Sequence, residues 1–334
     1  MASSSPIFIV GAPRSGTTLT ARILNGNSKI FMPGETHYYD DIYSRFHTKK
    51  ELSFTDRADI ADRLFTLYGR FNEPADQARV NDLFTKESIE SKLTDSFVDL
   101  RSLFVWFMEI QMRHENKCRW GNNVPRDLFN LHIIFDMFPD AKVIACIRDP
   151  RAFLVSYMKK SSATSVDQAK RIGALYHPVL TSLLWKANCA EIERSLSVYG
   201  LEKVYLQKYE CLVSEPEKTV RELCDFIGAE FESDMLNVHH SNSSHGRPNK
   251  GIYVSSVDKW KTCDAGEDLY ICQQLLEERM QAMGYSKEAL KINFVRLAYS
   301  YLTFPFAALR AIIANRSHQG PLIPYLMKRI ASLR

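Results

Sequence analysis

No apolar run in this chain is built to cross a bilayer: the uncharged stretch Leu297 to Leu309 is too short for the task and contains Pro305. The N-terminal MASSSP leads at once into the first apolar run, with no secretory h-region and no N-terminal anchor, so a cytoplasmic protein is expected. Its seven cysteines include no Cys-x-x-Cys pair, and Cys146 sits inside an apolar run. They read as reduced thiols rather than a disulfide framework. Repeats and low-complexity segments are absent too. His239, His240 and His245 share a polar Ser-, Asn- and Gly-containing stretch with no cysteine or carboxylate cluster, so a loop is expected there and no metal. The chain has 334 residues, 45% of them hydrophobic and 25% charged, enough to bury a substantial core in one α/β domain with helical insertions.

A further absence lies inside a motif. Gly11 to Gly16 has the spacing of a P-loop and Thr18 fills its Ser/Thr place, but Thr17 stands where the lysine belongs. An NTPase uses that lysine on the outer phosphates, so ordinary ATP or GTP chemistry is disfavoured. The part that binds a phosphate remains. Ile7 to Val10 form a buried-strand run, Gly11 and Gly16 let the backbone turn tightly, and Leu19, Ile23 and Leu24 recur at helical spacing. The loop thus opens a helix, whose N-terminus attracts anions, and Arg14, Ser15, Thr17 and Thr18 add donors.

A second strand, within KVIACIRDPR from Lys142, ends at Arg148. Asp149 suits an N-cap and Pro150 the first helical position, and the helix that follows carries Ser156, Lys159 and Lys160. Arg148 would stand at the carboxyl edge of the sheet, where open α/β folds bind ligands; the alternative is an arginine simply paired with Asp149. Two anion sites on one edge suggest a nucleotide phosphorylated at two places.

Together these stretches resemble the sulfotransferases that use 3′-phosphoadenosine 5′-phosphosulfate (PAPS), nearest the tyrosylprotein and bacterial branch. The similarity runs in order over roughly residues 6 to 285. It implies a P-loop-like parallel sheet flanked by helices. It implies that Arg14, Ser15, Gly16, Thr17 and Thr18 hold the 5′-phosphosulfate, that Arg148 and Ser156 hold the 3′-phosphate, with Lys160 a further cofactor-binding residue where some relatives place a basic side chain, and that Tyr209 lies beside the adenine. Ser255 and Lys259 would close over the 5′-phosphate, with Trp260 as anchor, unless they form an ordinary loop-to-helix junction. Glu35 corresponds to the base of the tyrosylprotein branch, with His37 its rival; a plain ion pair of Glu35 with Arg14 is the alternative. Arg14 would also meet the charge that grows on the departing phosphate. One departure is Asn123, where many relatives carry lysine; Arg126 or Arg14 would then have to compensate. The reaction implied is sulfuryl transfer from PAPS to a hydroxyl of a small molecule, glycan or lipid, leaving adenosine 3′,5′-bisphosphate. A nucleotide-dependent phosphotransferase and a non-catalytic PAPS-binding protein are the alternatives. No motif points to nucleic acid.

Residues 1–285 are expected to form the catalytic domain, with a helical insertion at 50–114 in which Ile89, Leu93, Phe97, Leu100 and Phe104 mark one face. Leu128, Leu131, Phe135 and Phe138 mark another helix, Val204 to Leu206 a strand, and Ser214-x-x-Glu217 a capping box before a helix stopped by Gly228. Residues 286–334 form a different, helical tail with eight basic residues and Glu288 as its one acid. It suits peripheral contact with anionic lipid, or packing on the core or in a homodimer.

Overall fold

The fold follows from five short strands whose apolar residues cannot be satisfied on one face alone. A computed structural model of the chain describes residues 5–71, 74–93, 100–160, 176–238, 252 and 257–315. β1 (Ile7–Gly11), β2 (Ile30–Phe31), β3 (Arg119–Asn123), β4 (Lys142–Ile147) and β5 (Val204–Lys208) form one parallel sheet in the order β2-β3-β1-β4-β5. Side chains alternate across β1: Phe8 and Val10 enter one core, Ile7 and Ile9 the other. The second core is roofed by α1 (Thr17–Asn25), through Ile23 and Leu24, and by a later helix, through Val220, Leu223 and Ile227. This is the P-loop-like α/β architecture expected.

The first core is roofed from the intervening segment. That segment supplies α2 (Phe54–Phe71), α3 (Pro74–Leu83), α4 (Lys86–Lys92) and α5 (Leu100–His114). The apolar face read through 89–104 is divided: Ile89 lies on α4, Leu100 and Phe104 on α5, and Phe97 lies outside the described residues. A tight 3₁₀ stretch, Pro125–Asn130, then leads into α6 (Leu131–Met137).

α7 (Pro150–Lys160) follows β4, α8 (Pro178–Tyr199) precedes β5, and α9 (Tyr209–Ser214) follows it. α10 (Pro216–Ile227) begins differently from the capping box read at Ser214. Pro216 takes the first helical position, where its missing N–H costs nothing, so the N-cap falls on Glu215, which makes no side-chain cap. Ser214 instead ends α9. Gly228 stops α10 as expected. α11 (Gly266–Ala282) and α12 (Phe294–Asn315) complete the described chain. All seven cysteines are free thiols, and among the described residues no helix is long and apolar enough to cross a membrane.

Candidate active site

Because the sheet is parallel, β1, β3, β4 and β5 deliver their carboxyl ends to one edge, and the chain leaves each of them carrying polar residues. At the end of β1 the backbone turns on Ser15 N–H donating to Ala12 O at 3.2 Å, while Ala12 N–H donates to Cys146 O at 3.2 Å and ties the loop to β4. Arg14 holds φ +70° and Gly16 φ +91°. A left-handed arginine is strained backbone of the kind kept at functional sites. A Cβ at Gly16 would stand 2.6 Å from the Tyr209 ring, so the loop is pressed against the residue that follows β5. Ser15 Oγ is buried with no partner among the described residues. Thr17 is buried at the head of α1 and Thr18 partly so.

Arg148 follows β4 and is seated by its neighbours. Its carbonyl accepts from Trp185 Nε1 at 2.9 Å, its guanidinium lies 4.2 Å over the Tyr209 ring, and its Nη1 donates to Arg14 O at 3.4 Å. The arginine that grips Asp149 is Arg151, through Nη2 at 2.7 Å and Nε at 3.0 Å. Asp149 Oδ1 also accepts from Arg151 N–H at 2.8 Å, the N-cap role expected of it. Asp149 N–H donates to Glu210 Oε1 at 2.9 Å and Tyr285 OH to Glu210 Oε2 at 3.0 Å, so the turn bearing Arg148 is braced from α9 and from the segment after α11. Burial raises the Glu210 carboxyl above its usual range.

The two motifs expected to bind phosphate meet directly. Arg14 Nε donates to Ser156 Oγ at 3.1 Å, joining residues 142 apart in the chain. Burial lowers the Arg14 guanidinium from its ordinary value; Tyr157 opposes this and the charge of Arg148 adds to it. An arginine remains charged nonetheless, so the cleft holds two crowded cations beside donors, an arrangement that an anion relieves. Lys160 closes α7, but its side chain lies outside the described set.

On the other side of the loop, Glu35 and His37 come together, Glu35 Oε2 lying 2.9 Å from His37 Nε2, both side chains mostly buried. His37 takes φ +49°. Thr36, between them, donates from Oγ1 to Asn122 Oδ1 at 2.9 Å, and Asn122 Nδ2 donates to Asp127 Oδ2 at 3.0 Å. Asp127 is fully buried; burial, and then the charge of Asp40, push its carboxyl well above the usual range. A buried, hydrogen-bonded carboxyl thus anchors the loop that carries Glu35. Asn123 pairs in register with Ile9, two residues before the end of β1, and its buried Oδ1 has no partner among the described residues. Arg126 lies 3.4 Å from Asp40 Oδ2, so that carboxylate competes for the cation expected to compensate for Asn123.

Lys259 is exposed in a turn before buried Trp260, whose ring lies 3.9 Å from the Arg151 guanidinium. Ser255, His239, His240 and His245 fall outside the described residues. Sequence reasoning passed over Arg151, Trp185, Glu210, Asn122 and Asp127, which position the others. The repeated arginine of Arg-Asp-Pro-Arg was a usable signal for Arg151; Trp185, inside an apolar helix, carried none.

Residues 6–233 match the model of a family described as the sulfotransferase family. The chain is similar to an uncharacterized protein of Aquifex aeolicus, 24% identical over 268 residues, covering 78% of this chain and 31% of that protein. It is also similar to protein-tyrosine sulfotransferase 1 of Danio rerio, 24% identical over 309 residues, covering 87% of this chain and 75% of the relative. In fold it resembles the sulfotransferase domain of the Synechococcus PCC 7002 olefin synthase, with a TM-score of 0.56 at 20% identity, covering 86% of this chain and 98% of that domain.

Proposed function

The chain belongs to the sulfotransferase family, and from that premise we propose that it moves a sulfuryl group from PAPS to an acceptor hydroxyl on a small molecule, glycan or lipid. The observation that carries the donor assignment is the meeting of Arg14, Ser156, Arg148 and Tyr209 at one sheet edge. The fit is supported by the buried Ser15 Oγ, which has no partner among the described residues, and by two guanidiniums crowded in one cleft. Arg14 to Thr18 would hold the 5′-phosphosulfate at the head of α1, Arg148, Ser156 and Lys160 the 3′-phosphate, and Tyr209 the adenine. Ser255 and Lys259 would cover the 5′ end.

In this reading Glu35 takes the acceptor's proton, with His37 against it to hold the carboxylate in place. The acceptor oxygen forms its bond to sulfur as the bond from sulfur to the 5′-phosphate oxygen breaks, and adenosine 3′,5′-bisphosphate leaves. The electron pair of the broken bond stays on that oxygen, where the fixed charge of Arg14 lowers the barrier. No step calls for a metal.

Asn123, uncharged where many relatives carry lysine, favours a second reading, a protein that binds PAPS or its product without turning it over. One experiment separates the readings. Incubation with ³⁵S-labelled PAPS and a panel of phenols, sterols, glycans, glycolipids and a tyrosine peptide should label an acceptor, with or without a chelator. Labelling from γ-³²P-ATP that needs magnesium would show a phosphotransferase instead. Tight PAPS binding with no acceptor labelled by extract fractions would favour the binding protein.

A further inference from the structure

α12 is apolar on two opposite faces, and the core uses only one. On the inner face Ser300 O lies 3.0 Å from His177 Nε2, the Phe304 and His177 rings are 5.8 Å apart, and Ala307 is buried. On the outer face Val295, Tyr299, Leu302, Phe306, Leu309 and Ile313 are 56–79% exposed. Their spacing alternates between four and three residues, so they form one stripe down the helix. A soluble helix would carry charges there.

The charges that α12 itself carries have one sign, with Glu267 of α11 accepting from Asn293 N–H just ahead of its first turn. Arg296 and Arg310 are the charged residues of α12, and both are exposed. From Ala289 to Arg334 the sequence holds seven basic residues and no acidic one. We propose that the outer face of α12 docks on an anionic lipid surface, the stripe entering the boundary between headgroups and acyl chains and the arginines resting on the headgroups. The helix would lie along the membrane rather than cross it, since no described helix is long and apolar enough to span one. Charge selects lipid over a second copy. Two such faces brought together would set arginine against arginine with no acid on the helix to answer them, whereas an anionic bilayer neutralises every one.

The proposal does not depend on the sulfuryl-transfer reading, because its readout needs no reaction. The full chain would be sedimented with vesicles of phosphatidylcholine, either alone or containing about 30% phosphatidylserine. It should partition to the anionic vesicles and leave them as salt rises. Leu302→Glu/Phe306→Glu should weaken partition by roughly tenfold or more. Arg296→Gln/Arg310→Gln, which spares the stripe, should weaken it less and reduce its salt dependence. Both variants change exposed side chains, so thermal unfolding and nucleotide binding should match the unaltered chain. Failure to bind anionic vesicles, or equal binding by the Leu302/Phe306 variant, overturns the proposal. A dimer in sedimentation velocity that this variant dissociates, with no vesicle binding, would assign the face to a second copy.

Discussion

Gly16→Ala isolates the contact that joins the loop after β1 to Tyr209. Gly16 has φ +91°, and an added Cβ would meet Tyr209 Cδ2 at 2.6 Å. Gly228, at the end of α10, has φ +68° and nothing within 4 Å of the same added atom. The pair separates backbone strain from collision. At Gly228 the left-handed penalty of about 1–2 kcal/mol is partly offset by about 0.4–1 kcal/mol from the stiffer unfolded chain. Gly228→Ala should therefore cost about 0.5–1 kcal/mol of stability and leave nucleotide binding unchanged. Gly16→Ala adds the displacement of the Tyr209 ring, an overpacking of about 1–3 kcal/mol. That ring carries the Arg148 guanidinium at 4.2 Å, so its movement also unseats the cation assigned to the 3′-phosphate. Losing one charge-assisted hydrogen bond is worth about 1.5–3 kcal/mol, or roughly 10- to 150-fold in affinity. Calorimetric titration with adenosine 3′,5′-bisphosphate and thermal unfolding of both variants measure the two parts. If Gly16→Ala binds the nucleotide within twofold of the unaltered chain and loses only what Gly228→Ala loses, the placing of Tyr209 in the site is wrong.

Two further variants test the other half of the site. Glu35→Gln keeps size and hydrogen bonding but removes the proposed base, so turnover of a labelled acceptor should fall by roughly 10²-fold or more with nucleotide affinity little changed. Survival of activity in Glu35→Gln together with its loss in His37→Ala would move the base to His37. Asp127→Asn should change the pH dependence of stability. Burial holds the Asp127 carboxyl well above its usual range, so the folded chain keeps a proton that the unfolded chain has released. Stability therefore falls as pH rises from the ordinary carboxylate range through the raised value, by about 1.4 kcal/mol per pH unit for one proton. The asparagine variant should lose that slope and be more stable at neutral pH in urea titrations. An unchanged slope would mean that Asp127 is ionised in the folded chain.

The strands that announced themselves were those with apolar runs, Ile7 to Val10, Lys142 to Ile147 and Val204 to Leu206; in the first two, buried almost throughout, two covered faces demand such residues. β2 and β3 escaped notice. β2 has two residues, and β3, Arg119–Asn123, offers only Trp120 as a strand former among glycine and asparagines. Position between β2 and β1 makes it a strand, against its local preference. The residues proposed to bind phosphate were legible since each lies in a local pattern of strand, turn and helix. Their supports were not: Trp185 and Tyr285 reach the Arg148 turn from elements 37 and 75 residues away from their partners. Such contacts exist only after the sheet has set its strand order. The Ser214 capping box failed for a local reason, the proline one residue before Glu217.

Calorimetry of the unaltered chain with adenosine 3′,5′-bisphosphate and with 5′-AMP tests the donor assignment without any need for the acceptor. If Arg148 and Ser156 hold a 3′-phosphate, charge-assisted bonds worth about 1.5–3 kcal/mol each should make the bisphosphate bind roughly 10²-fold or more tightly. Arg148→Ala should erase most of that preference while leaving 5′-AMP binding nearly as it was. Equal affinities of the unaltered chain for the two nucleotides would contradict the account.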